Sequence, residues 1–214
     1  MSAGSQAPIA RLGAGMAASA PRTLLGLLLW LGIAAPFVPS AARAAPLDEA
    51  TVHAAYVINF VRYSRWPRLA PGAPLVIATL GGSEAADALR GLASRAGSVE
   101  GHRLEVRALA LGRAPPLREE AMAVIGAEAA DAQLVFVDAS HRAWSQAVIA
   151  AFAGRPVLTV GMGSEFVAGG GMFGLVNREG RVVFTANNEA IARNPVDVSA
   201  RVLMLARPLD PGGD

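Results

Sequence analysis

Hydrophobic positions along this chain fall into short runs bounded by Gly, Pro and Asn, and these runs alternate with stretches of helical spacing. Leu75–Leu80 (LVIATL), Leu134–Val137 (LVFV) and Val157–Val160 are apolar except for Thr79 and Thr159, which predicts strands buried on both faces. Arg103–Leu109 alternates instead: Leu104, Val106 and Ala108 against Arg103, Glu105 and Arg107, the period of a half-exposed strand. Met172–Val176 and Val182–Ala186 flank Asn177-Arg-Glu-Gly180, so they predict an antiparallel hairpin with Gly180 at positive φ. Three glycines at 169–171 let the backbone pass close to another element. The intervening stretches predict helices. These run from the cap Asp48 to about Arg65, from Glu84 to about Ala96 with Ser83 as N-cap, over Leu117–Ala127, over His141–Phe152, and from Asn194 to Arg207. Together they predict an α/β fold: a single layered domain, a mostly parallel sheet flanked by helices, and an antiparallel C-terminal hairpin.

Two helices carry more apolar surface than one core face needs. The first has one stripe at Val52, Ala55, Tyr56, Phe60 and Tyr63 and a second at Ala54, Val57, Ile58 and Val61. Such a helix either lies between two layers or shares a face with another molecule. In the last, Val202-Leu203-Met204-Leu205 is apolar all round. Phe60, Tyr63 and Trp66 cluster beside Arg62, Arg65 and Arg68, the aromatic and arginine types that dominate protein interfaces.

The amino terminus changes the bulk numbers. Arg11 and Arg22 precede the apolar run Leu24–Ile33, and Ala42-Arg43-Ala44 has the small-x-small pattern of a signal-peptidase site. Residues 1–44 are therefore expected to be a cleaved export signal, with a retained anchor as the alternative, and 45–214 a periplasmic domain. Removing 1–44 leaves 170 residues with 16 basic and 17 acidic side chains, so the pI near 9.9 belongs to the precursor. A nucleic-acid partner, which needs a basic excess, is not expected. All the cations are arginine, and no cysteine is present to form a disulfide or a thiolate nucleophile.

The search for reactive groups returns little. His53, His102 and His141 have no second His or Cys at ligand spacing, so no metal and no cofactor is expected. Ser140 and His141 are adjacent, and neighbours on a regular helix do not face each other; no nucleophile elbow is present. Gly81, Gly82 and Ser83 at one strand-to-helix turn, and Gly161 and Gly163 at another, offer backbone N–H groups to a small anionic or aromatic ligand. Neither completes a dinucleotide fingerprint, and a P-loop needs a Lys that this chain lacks.

The order Asn59–Pro67 (NFVRYSRWP), Leu75–Gly81 (LVIATLG), Gln133–Val137 (QLVFV), Gly154–Val160 (GRPVLTV), Gly170–Val176 (GGMFGLV), Phe184–Asn187 (FTAN) and Val198–Ala206 (VSARVLMLA) resembles the YfiR family of periplasmic proteins. That resemblance implies a dimeric, non-enzymatic regulator. It would repress a membrane-bound diguanylate cyclase through the cyclase's periplasmic part, control cyclic di-GMP and biofilm formation, and be drawn off by a lipoprotein. Phe60, Tyr63, Arg65, Trp66, Val202 and Leu203 are then expected to supply the partner or dimer surface, with Phe173 and Asn187 ordering the hairpin beside it. Ala78 and Ala132 stand where relatives commonly carry cysteines, which excludes the corresponding disulfide. A small-molecule binder using the glycine turns is the alternative.

Overall fold

Asp48 opens the first helix, α1 (Glu49–Arg62), by accepting from Thr51 N–H at 3.0 Å and Thr51 Oγ1 at 2.7 Å. The structure, a computed structural model, describes residues 48–112, 114 and 117–208. The export segment 1–44 and part of the 110–117 loop lie outside the described residues. Helix α1 ends at Arg62, three residues short of the sequence expectation. Ser64–Arg65 is drawn into a short strand, β1, against β9 (Asp197–Val198), with Ser64 opposite Val198.

The main sheet is built from β2 (Leu75–Leu80), β3 (Ser98–Val99), β4 (His102–Ala108), β5 (Leu134–Val137), β6 (Leu158–Met162), β7 (Phe173–Arg178) and β8 (Arg181–Ala186). Its order is β3-β4-β2-β5-β6-β7-β8, parallel from β4 through β7 and antiparallel at both edges. The expected hairpin is present. Its turn is only Glu179-Gly180, both at positive φ (52° and 74°), the mirror-image geometry that suits strand twist.

Alternation along the central strands feeds two cores. Leu75, Ile77, Leu134, Phe136, Leu158 and Val160 face one side, where α1 and α2 (Ser83–Ala96) pack. Val76, Ala78, Leu80, Val135 and Val137 face the other, under α3 (Arg118–Glu128), α4 (Ser145–Ala151), Trp144 and Phe166 of α5 (Ser164–Ala168). Helix α1 thus uses much of its apolar surface within its own chain, the first of the two explanations offered by its pattern. Phe60 stacks on Phe173 with centroids 4.3 Å apart and meets Phe184 edge-on at 5.1 Å, while Tyr56 donates its hydroxyl to Val182 O at 2.8 Å.

The single C-terminal helix expected over 194–207 is replaced by β9 and the short α7 (Ala200–Leu203), and a separate helix, α6 (Asn188–Ala192), precedes it. Polar side chains win locally. Asn187 caps α6, Asn194 Nδ2 reaches Arg155 O and Val157 O at 2.8 and 3.2 Å, and Ser199 caps α7. At the start of α2, Gly82 rather than Ser83 occupies the N-cap, with no side-chain bond.

His53 is the buried exception on α1. It is 6 % exposed, its Nε2 has no hydrogen-bond partner, and Glu49 Oε1 lies 3.5 Å away. Burial pushes its pKa below the ordinary histidine value, against the smaller opposing pull of Glu49 and Asp138. The unfolded chain then binds a proton more readily than the folded one. Stability is full above the unfolded value, about 6.5, and is lost as pH falls toward the folded value. Between pH 7 and 5 the wild type is expected to lose stability relative to His53→Gln, by at most about 1.4 kcal/mol per pH unit. Parallel profiles in urea titrations of the two proteins would show that His53 contributes nothing.

Candidate functional site

The end of α1 and the loop after it form the most distinctive surface. Tyr63 caps the helix and is 45 % exposed, and its carbonyl accepts from Ser199 N–H at 2.8 Å. Arg65 projects outward and pairs with Glu100 Oε1 at 2.9 Å, a bond that raises the arginine pKa further. Because both side chains are solvated, the pair fixes orientation more than it adds stability. Trp66 turns inward, 9 % exposed, and Pro67 prevents the helix from resuming.

Clefts open around this loop. One of about 300 Å³ is walled by Arg65, Trp66, Leu75, Val99, His102 and Asp197. A second of about 270 Å³ lies among Arg62, Tyr63, Arg65, Glu100, Asp197 and Ser199. Beyond Trp66, a smaller space of about 140 Å³ is bounded by Arg68, Asp131, Gln133 and Arg155. Ser64 Oγ and Trp66 Nε1 are buried without a hydrogen-bond partner. Each such group costs about 1–3 kcal/mol, and that cost is concentrated in one loop.

Of the residues expected to form a contact surface, Tyr63 and Arg65 are exposed, whereas Trp66 is buried in the core and does not contribute its face to that surface. The remainder divide differently. Phe60, Phe173 and Val202 are 2 %, 0 % and 5 % exposed, so they belong to the core and not to an accessible face. For Phe60 and Val202 this placement corrects the surface expectation, whereas Phe173 lies in the hairpin stacked on Phe60. Leu203 is half-buried, and Asn187 is committed to capping α6 and to Val167 O at 3.3 Å. The exposed apolar positions near the end of α7 are Met204 and Leu205, which pattern alone did not separate from Val202.

The glycine turns are filled by the protein itself. A Cβ at Gly81 would stand 2.4 Å from Asp138 Cβ, and one at Gly161 would meet the Phe166 ring at 2.3 Å. Gly163, at φ +85°, faces the Glu165 carboxylate. Only Gly82 opens onto free space. Ser140 and His141, by contrast, do meet, with Oγ 3.0 Å from Nδ1. They can because His141 has non-helical angles (φ −115°, ψ 21°) inside the 3-10 turn Ala139–Trp144. Ser140 Oγ also lies 2.9 Å from Asp138 Oδ2, His141 Nε2 is 3.1 Å from Leu111 O, and Trp144 Nε1 donates to Gly112 O at 3.0 Å. This cluster ties the loop after β4 to the end of β5. Among the described residues no group of three or more His, Asp or Glu is placed to hold a metal, and no helix is long and apolar enough to cross a membrane.

Residues 50–207 match the family described as YfiR/HmsC-like. The chain belongs to that family. Membership in the YfiR/HmsC-like family supports a periplasmic regulatory role in general. No curated protein matches the sequence. Among solved structures it is similar to a conserved domain protein from Vibrio cholerae O1 biovar El Tor, at 12 % identity and a TM-score of 0.48. The similarity covers 74 % of this chain and 59 % of the Vibrio chain, so this chain spans less than two thirds of that protein's length.

Proposed function

We propose that this protein is a periplasmic repressor that acts by contact. It binds the periplasmic part of a membrane-bound diguanylate cyclase, holds it in an inactive arrangement, and so lowers cyclic di-GMP. It works as a homodimer, carries out no bond chemistry, reaches the periplasm through a cleaved signal peptide, and is drawn off its target by a lipoprotein. The observation that carries this reading is the surface at Tyr63 and Arg65. An exposed aromatic ring and a guanidinium sit side by side, anchored by the β1–β9 pairing and by Ser199 N–H on Tyr63 O. Rigid aromatic and arginine anchors are the residues on which interfaces concentrate their binding energy. Release by a competitor shifts the cyclase equilibrium only as far as the two states differ in affinity for the repressor.

Affinity capture from solubilised membranes is expected to recover a protein with a cytoplasmic GGDEF domain. The double variant Tyr63→Ala, Arg65→Ala should keep its melting temperature within a few degrees, bind at least tenfold more weakly and raise cyclic di-GMP. If the wild type recovers no cyclase and its deletion leaves cyclic di-GMP unchanged, the reading fails.

A further inference from the structure

Strand β4 runs for seven residues, yet β3 covers only His102 and Arg103 on its outer side. The next outward group, Leu104 N–H, reaches Gly97 O at 3.4 Å, whereas Leu109 N–H points the other way, to Thr79 O on β2 at 2.9 Å. Backbone groups alternate sides along a strand, so those of Val106 and Ala108 face outward. Among the described residues no strand pairs with them. An edge of this kind is a template for one more strand. Beside it a groove of about 560 Å³ runs between α2 and β4, walled by Ala93, Ser94, Leu104 and Val106.

The charges on this edge choose the occupant. Arg103, Glu105 and Arg107 alternate in sign along the face opposite Leu104 and Val106. Consider a second copy laid antiparallel on the first. With the two-fold axis through Val106, each Glu105 stands opposite the partner's Arg107. That pair is of the non-hydrogen-bonded kind, in which Cα atoms approach to about 4.5 Å and side chains are closest. Val106 meets the partner's Val106, and Ala108 N–H meets the partner's Leu104 carbonyl. Moving the axis to position 105 sets Glu105 against the partner's Glu105 and Arg103 against the partner's Arg107. Moving it to 107 sets Arg107 against the partner's Arg107. A register centred on Leu104 would also join opposite charges, Glu105 against the partner's Arg103, but β3 already covers Arg103 and Leu104 N–H is bonded to Gly97 O, so the register centred on Val106 is the one left open.

We propose that two copies of this chain associate through the free outer edge of β4, antiparallel and centred on Val106, so that the two sheets become one. This locates the dimer surface of the reading above and rests on its dimeric part alone, not on the identity of any cyclase. Within one chain Arg107 holds Asp131 (2.6 and 2.8 Å) and Glu105 pairs with Arg103 of its own strand, so the cross-dimer pairs form in exchange for these exposed, solvated ion pairs.

Sedimentation equilibrium on the purified mature protein tests the pairing. Wild type is expected to dimerise, with amide exchange at Val106 and Ala108 slowing as concentration rises. Val106→Pro removes an outward N–H and leaves the β2 ladder intact, so it should weaken the dimer about 30-fold while the monomer keeps its circular dichroism. Glu105→Arg and Arg107→Glu should each weaken it, and the two together should restore it, a rescue that a folding defect would not give. A dimer indifferent to Val106→Pro and to both single reversals overturns the β4 pairing while leaving a dimeric regulator intact. A protein that stays monomeric overturns both. Protection of Val106 and Ala108 that arises only on adding membrane extract assigns the edge to a foreign strand, and overturns the second copy as occupant.

Discussion

Phe60→Ala is expected to cost about 3–5 kcal/mol of folding stability, the range for deleting a fully buried ring. Phe60 is 2 % exposed and lies between α1 and the hairpin, stacked on Phe173 at 4.3 Å and edge-on to Phe184 at 5.1 Å. Truncation would remove the transfer energy of the ring and leave a cavity that its three aromatic neighbours, Tyr56, Phe173 and Phe184, cannot fill. A domain of this size holds about 5–15 kcal/mol in total, so the variant should melt about 10 °C lower or fail to accumulate. Tyr63→Ala is the control: with its ring 45 % exposed, it should stay within about 0.5 kcal/mol of wild type. Urea titration of both variants separates a core residue from a contact residue, although the two rings lie on one apolar stripe three positions apart. Equal midpoints for the two would mean that α1 does not pack as described.

That stripe shows where the sequence was legible and where it was not. Apolar runs of four to six residues, broken only by the buried threonines Thr79 and Thr159, identified the central strands, because a strand covered on both faces admits few polar side chains. The surplus on α1 was visible as well. What occupied it was not, since Phe173 and Phe184 lie more than a hundred residues away and nothing local encodes that meeting. Strands β1 and β9 are two residues each and exist only because Ser64 finds Val198; their own composition carries no strand signal. The same pairing ended α1 early and exposed Tyr63 beside Arg65. In the C-terminal region an apolar quartet suggested one long helix, but Asn187, Asn194 and Ser199 divert the backbone through side-chain bonds that periodicity cannot register.

Local geometry also decided the reactive-looking residues. The rule that neighbours do not face each other assumes a regular helix, and His141 breaks it by leaving helical angles. Its imidazole then bridges Ser140 Oγ and Leu111 O and serves as a tether between two loops. The strand-to-helix glycines had two meanings in sequence, an open anion cradle or a close approach. Asp138 and Phe166 occupy the space beside Gly81 and Gly161, which gives those two glycines the second meaning.

Gly174→Ala carries the same logic to its largest effect. This glycine sits in the middle of β7, where a strand ordinarily gains from a side chain, and a Cβ there would stand 2.5 Å from the Gly163 carbonyl oxygen, 2.8 Å from Val167 Cγ2 and 3.0 Å from Thr185 Oγ1. The first of these is backbone and cannot step aside. Gly163 is held at φ +85° with its N–H on Leu175 O at 2.8 Å, so a shift of its carbonyl would break the β6–β7 connection on both sides. Overpacking typically costs about 1–3 kcal/mol when side chains can yield; against fixed backbone the expected loss is about 3 kcal/mol or more. Gly126→Ala should do the opposite. Its Cβ would meet nothing within 4 Å, and in the last turn of α3 alanine is favoured by up to about 1 kcal/mol. Thermal melts of the two variants should therefore move in opposite directions from wild type. A Gly174→Ala protein as stable as wild type would show that the β7 backbone does not lie against Gly163, and with it would go the close packing that holds the hairpin to the parallel sheet.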